Sequence, residues 1–178
     1  MPAPNPRVVS PINPANAVTA SRFLTLPPLI WSIHHGYHQL ATLCIIVCGL
    51  LDKLDGLVAR AFDCRSQFGE VFDAMADATC YGIGLIVVAA YGWAPTIPVA
   101  TIIVLGLANA ASRFVYAKRA HRTVNYKSYA MERLVGYTSY LIGIATADFN
   151  VAYFFWVFPV IMVVILAHDG KRMLLDPV

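Results

Sequence analysis

Charge is scarce in this chain of 178 residues: Asp, Glu, Lys and Arg make up 13% of it, against 58% hydrophobic residues. With a mean hydropathy of +0.63, that scarcity excludes a disordered, solvated chain and an ordinary water-soluble domain, and indicates a membrane protein. Cysteine is sparse too. Cys44, Cys48, Cys64 and Cys80 are scattered, which excludes a disulfide framework and leaves Cys44 and Cys48 as small packing residues. His34, His35 and His38 crowd into "HHGYHQ" without a carboxylate partner, and are read as an outer turn rather than a zinc site. The opening residues lack the apolar core and cleavage site of a secretory signal, so the first apolar run is expected to remain as structure. Pro2, Pro4, Pro6, Pro11 and Pro14 make residues 1–16 a flexible segment. No module for nucleic acid accompanies the net charge of +3.

What the chain has in abundance is apolar runs: Val18 to Ser32, Leu40 to Leu51, Ala78 to Tyr91, Ala94 to Ala111, Leu134 to Ala147 and Val151 to Ala167. A membrane span needs roughly 20 residues, so the shorter runs must borrow polar flanks. The reading is an all-α integral membrane protein of six transmembrane helices, with a domain over residues 17–169 and a short tail over 170–178. If both termini are cytoplasmic, all 13 Lys and Arg fall on inner segments and none on the outer turns, as the positive-inside rule requires. The hydrophilic stretch Ala117 to Arg133 is then an inner-face linker, with Tyr126 and Tyr129 at the membrane boundary. Asn16 or Thr19 is expected to cap the first helix, with Arg22 in its first turns as an anchor or a phosphate ligand.

The acids are not spread evenly. Six of the ten lie between Leu51 and Asp77. On a helix, Asp52, Asp55, Gly56 and Ala59 share a face; Asp73 and Asp77 are four apart on the next helix, with Gly69 one turn earlier. An antiparallel pair brings both acidic faces together, and four carboxylates beside a membrane must protonate or pair. Divalent cations resolve that conflict: hard oxygen ligands suit Mg2+ or Mn2+, and two ions about 3.5 to 4 Å apart can bridge a diphosphate. Asp63 is assigned to the turn, and Glu70 to the start of the second helix. Spacing alone also admits a divalent-cation transporter.

Asp52, Asp55, Gly56, Ala59, Arg60, Gly69, Asp73 and Asp77 together spell D-x2-D-G-x2-A-R-x8-G-x3-D-x3-D, which resembles the signature of the CDP-alcohol phosphotransferase family. The resemblance implies six membrane helices with inner termini and an active site at the cytoplasmic side. It implies that Asp52, Asp55, Asp73 and Asp77 hold two Mg2+ or Mn2+ ions, that Asp77 is also the general base, and that Gly56, Ala59, Arg60 and Gly69 form the nucleotide site. The implied donor is a CDP-linked lipid such as CDP-diacylglycerol, the second substrate a small alcohol, and the assembly a homodimer. Thr19 and Arg22 resemble cavity residues of the opening helix, and Arg113, Lys118, Arg119, Arg122 and Arg133 are candidates for a phosphate pocket. The acceptor is divided between two clues: "FDAMADATCYG" resembles the phosphatidylserine synthase branch, whereas Arg22 and Pro27 resemble branches that use phosphorylated polyols.

Overall fold

The protein's structure, a computed structural model, describes residues 10–119, 138, 141–147 and 152–175. These residues are helical with short connections. A first rod is made of α1 (Pro14–Ser21), one 3-10 turn (Arg22–Thr25) and α2 (Leu26–His34). Four helices of 24 residues follow: α3 (His38–Ala61), α4 (Gln67–Ala90), α5 (Thr96–Arg119) and α6 (Ala152–Leu175). Residues 141–146 are also helical. At 1.5 Å per residue, 24 residues extend about 36 Å, enough to cross a hydrocarbon layer of about 30 Å.

Length is not the same as apolarity. Among the described residues, only Phe68–Ala90 is long and apolar enough to cross a membrane; the apolar stretches Thr96–Asn109 and Phe154–His168 are shorter. The acidic end of α3 explains why that helix fails such a test. Apolar side chains nonetheless lie on both sides of the helices. Ile33, Ala41, Cys48, Cys80, Leu85, Val88, Ile142, Phe155 and Phe158 form the core, while Leu43, Ile46, Leu50, Ile86, Val104, Leu107, Trp156 and Val160 face outward. A helix apolar all round suits a lipid-facing position.

The first rod starts and bends for local reasons. Its cap is Asn13, whose side chain accepts from the Asn16 amide at 2.9 Å; Asn16 and Thr19, the expected caps, lie inside the helix. Pro14 takes the first helical position, where its missing N–H costs nothing. Pro27 and Pro28 similarly stand at the opening of α2, and the backbone tightens through Arg22–Thr25 just before them.

Three connections close the same way. After α2, α3 and α4, the residue past the helix end adopts positive φ: Gly36 (76°), Asp63 (46°) and Gly92 (76°). The next amide then reaches back to the last turn, Tyr37 to the Ser32 carbonyl, Cys64 to Ala59 and Trp93 to Val88, which is the Schellman arrangement. Asp63 is the non-glycine of the set, and it fills a backbone position rather than a ligand position. Asp63→Gly is expected to unfold at the same or a higher temperature, by up to ~1 kcal/mol of added stability, with unchanged turnover; a large loss of activity would give Asp63 a chemical role.

The histidines of the Gly36 turn each have a different partner. A ring nitrogen of His34 lies 3.0 Å from the Tyr91 hydroxyl, one of His35 lies 2.8 Å from the Trp31 carbonyl, and one of His38 lies 3.0 Å from the Thr146 carbonyl. His38 also stacks on Trp93 at 3.9 Å between ring centres. His34 and His38 thus tie helix ends together, while the His35 contact stays at the end of α2.

Candidate metal centre

The α1–α2 rod packs against both α3 and α4, so three elements wall the acidic site. The carboxy-terminal half of α3 supplies Asp52 and Asp55, three residues apart and therefore on one face. The start of α4 supplies Asp73 and Asp77. Its register is set by Ser66, whose hydroxyl accepts from the Gly69 amide at 3.0 Å, and Glu70 stands exposed in the first turn. An acid there complements the amino-terminal end of the helix dipole.

Asp52, Asp55 and Asp73 each present a carboxylate oxygen such that all three lie within 4.8 Å of one another. Asp55 and Asp73 are buried, Asp52 and Asp77 partly so. Such a set of hard oxygen donors fits one divalent cation of the Mg2+ or Mn2+ type, and among the described residues no other group of metal-ligating side chains gathers this way. Asp55 is fixed from the first rod. The buried Thr19 hydroxyl lies 2.9 Å from Asp55 Oδ2 and 3.1 Å from the Ala15 carbonyl, able to donate to either.

The resemblance put Arg22 among the cavity residues without saying what it meets there, and the structure supplies its partners. Its side chain is fully buried (0% exposed) and points into the carboxylates. Nη1 lies 3.0 Å from Asp73 Oδ1, 3.3 Å from Asp52 Oδ1 and 3.9 Å from Asp55 Oδ2, while Nη2 pairs with Asp77 Oδ1. The guanidinium carbon also sits 5.7 Å from the centre of the Tyr81 ring. Among the described residues, Nε has no hydrogen-bond partner. Lys53 adds a second contact, 3.2 Å from Asp52 Oδ2, but is 82% exposed and correspondingly weak. One buried guanidinium against four carboxylates leaves an excess of negative charge when all are ionised, which low dielectric makes costly.

The small residues of the signature differ in what they face. A Cβ on Gly69 would stand 3.0 Å from Asn16 Oδ1 and 3.2 Å from Ser66 Oγ, so close packing of α1 on α4 needs the glycine. A Cβ on Gly56 would meet only Arg60 Nη1, at 3.7 Å, which leaves that wall uncrowded by the chain itself. Ala59 is partly exposed and Arg60 exposed on the last turns of α3. Among the described residues no ion pair joins Arg60 to the aspartates; the guanidinium among them belongs to Arg22. Arg113, Lys118 and Arg119 lie in the last turns of α5. Arg122 and Arg133 fall outside the described residues. Asn16, expected as a cap, instead lies inside α1 and packs its side-chain oxygen against Gly69.

Two sequence comparisons bear on the chain as a whole. Residues 12–170 match the sequence model of the CDP-alcohol phosphatidyltransferases. A stretch of 64 residues is 36% identical to a cardiolipin synthase (CMP-forming) / mitochondrial hydrolase fusion protein of Schizosaccharomyces pombe, covering 36% of this chain and 11% of that protein.

Proposed function

The chain belongs to the CDP-alcohol phosphatidyltransferase family, and from that membership we propose that it moves a phosphatidyl group from a CDP-linked lipid, CDP-diacylglycerol in the first instance, to an alcohol, releasing CMP. The observation that carries this reading is the convergence of Asp52, Asp55 and Asp73 within 4.8 Å, with Asp77 joined to the same group through Arg22.

Asp52, Asp55, Asp73 and Asp77 would hold Mg2+ or Mn2+, two ions in the full site. Bound there, such ions offset the charge of the diphosphate and of the departing CMP. The chain's own groups do the rest. Thr19 holds Asp55 in orientation, Gly56, Ala59 and Arg60 border the space for the nucleotide, and Gly69 seats α1 against α4. Asp77 takes the proton of the acceptor hydroxyl as the new oxygen–phosphorus bond forms; the bond from that phosphorus to the CMP oxygen breaks, and the pair leaves on CMP. Arg113, Lys118, Arg119, Arg122 and Arg133 would attract a phosphorylated acceptor if that is the substrate. CMP formation in the name of the S. pombe relative accords with CMP as product.

The same reading places residues 17–169 in the membrane as six spans, with both termini on the cytoplasmic face and the centre opening there, supported by the absence of Lys and Arg from the outer turns. It also takes the working unit as a homodimer meeting through α4 and α5, whose outward Ile86, Val104 and Leu107 are apolar.

The test is CMP release by purified protein given CDP-diacylglycerol with serine, glycerol 3-phosphate, myo-inositol, inositol phosphate, choline or phosphatidylglycerol, the lipid product being identified by mass spectrometry. Turnover with one acceptor, abolished by a chelator and restored by Mg2+ or Mn2+, is expected. No turnover with any acceptor, together with cation flux into liposomes, would establish a transporter instead.

A further inference from the structure

The four aspartates already hold a cation of their own. Arg22 lies within 3.9 Å of Asp52, Asp55 and Asp73 through one nitrogen and pairs with Asp77 through the other. On Asp52, Asp55 and Asp73, the oxygens it approaches belong to the three side chains that could ligate an ion. A guanidinium and a divalent ion cannot both lie centrally among these groups without like charges meeting, so one must yield to the other. Arg22 is equipped to yield. It stands at the start of the 3-10 turn that interrupts the first rod, and a short 3-10 stretch within a helix is a common hinge. Among the described residues its buried Nε has no hydrogen-bond partner, so the contacts to the carboxylates are all made by the two terminal nitrogens.

We propose that Arg22 is a built-in counterion of the aspartate centre, and that a divalent cation binds by exchange with its guanidinium rather than by addition beside it. This rests on the centre being a cation site, as the proposed function requires, but not on the identity of the reaction. In the cation-free protein Arg22 neutralises part of the carboxylate charge and keeps the three walls together. When the ion enters, the guanidinium withdraws from Asp73 and Asp77, and its positive charge becomes available at the edge of the site. Arg22 is thus a positioning residue. Competition of this kind is reciprocal: whatever Arg22 contributes to the cation-free centre is subtracted from ion affinity.

The experiment measures Mn2+ binding to the full-length protein in detergent, without lipid substrate, by the electron paramagnetic resonance signal of free Mn2+, alongside thermal unfolding in chelator and in saturating Mn2+. Arg22→Met is expected to bind Mn2+ about tenfold tighter than wild type or more. It should unfold at a lower temperature in chelator and recover most of that loss in Mn2+. Lys53→Met is the control. It removes an exposed cation 3.2 Å from Asp52 and is expected to change affinity less than about threefold. Equal or weaker Mn2+ binding by Arg22→Met overturns the proposal, and so does an equal tightening in Lys53→Met, which would make the effect one of general charge. Should Arg22→Met fail to fold, Arg22→Lys decides the matter on the same scale: tighter binding supports exchange, because one ammonium cannot reach both nitrogen positions, and equal or weaker binding overturns it. Absence of CMP release from wild type would disprove the proposed reaction while leaving this measurement intact.

Discussion

Replacing Asp77 with asparagine is expected to lower CMP release by about 10³-fold or more, the scale of a lost general base, while the protein stays folded. The amide is nearly the same size, so α4 is not repacked. Arg22 Nη2 loses a charged partner, although the amide oxygen can still accept from it, and Nη1 keeps Asp73 and Asp52 within 3.3 Å. The centre carries an excess of negative charge, so removing one carboxylate also relieves repulsion and offsets part of the lost pair. What the amide cannot do is take a proton from the acceptor. The check is turnover at saturating donor and acceptor, read beside Mn2+ binding and thermal unfolding of the same sample. Turnover equal to wild type would remove Asp77 from the chemistry. Loss of Mn2+ binding in parallel with turnover would assign its whole effect to the metal.

Gly69→Val is expected to cost about 100-fold in turnover without touching a ligand. Its first added carbon would stand 3.0 Å from Asn16 Oδ1 and 3.2 Å from Ser66 Oγ, and the branch needs more room still. Asn16 is anchored, its amide donating to the Pro11 carbonyl at 2.8 Å and its backbone N–H held by Asn13, so α1 must move as a unit. With it move Thr19, which holds Asp55, and Arg22. A displacement near 1 Å is enough for a loss of that size, and the overpacking itself should destabilise by about 1 to 3 kcal/mol. Asn16→Ala in the same chain removes the obstructing oxygen and should restore part of the activity, a coupling that a double-mutant cycle measures. Wild-type turnover in Gly69→Val would show that α1 does not position the site. Gly56→Ala is the informative contrast: the chain leaves space there, so stability should be kept and any loss should appear as a raised KM for the CDP-lipid.

The aspartate positions were legible because helical periodicity is a strong local rule. Asp52 with Asp55, and Asp73 with Asp77, fall on one face whatever the tertiary structure, and a hairpin of two helices brings the faces near each other. The third wall was legible only in part: the resemblance put Thr19 and Arg22 in the cavity, but not the groups they meet there. Arg22 meets Asp73 and Asp77 across 51 and 55 residues of chain, and nothing in the local pattern of "TASRFLTLPP" distinguishes a side chain aimed inward from one reaching toward headgroups. Gly69 shows a similar limit. Its place in the signature suggested room for a ligand, but the atoms crowding it belong to Asn16 and Ser66. The true cap was missed for a simpler reason: Asn13, Asn16 and Thr19 are all good capping residues, and Pro14 at the first helical position was the clue that selects Asn13. Membrane crossing was read from composition, and the apolarity of Phe68–Ala90 accords with it; the mixed character of α3 follows from its carrying the acids.

Every member of the centre, from Thr19 to Asp77, belongs to α1 through α4, and those elements end at Ala90. Translation delivers them in a favourable order. The guanidinium leaves the ribosome first, then the Asp52–Asp55 pair, then Asp73 and Asp77 on the next helix. A nascent chain folding from its amino-terminal end therefore has Arg22 at hand before the aspartates are gathered. The second half of the chain joins a centre whose charges are already partly compensated.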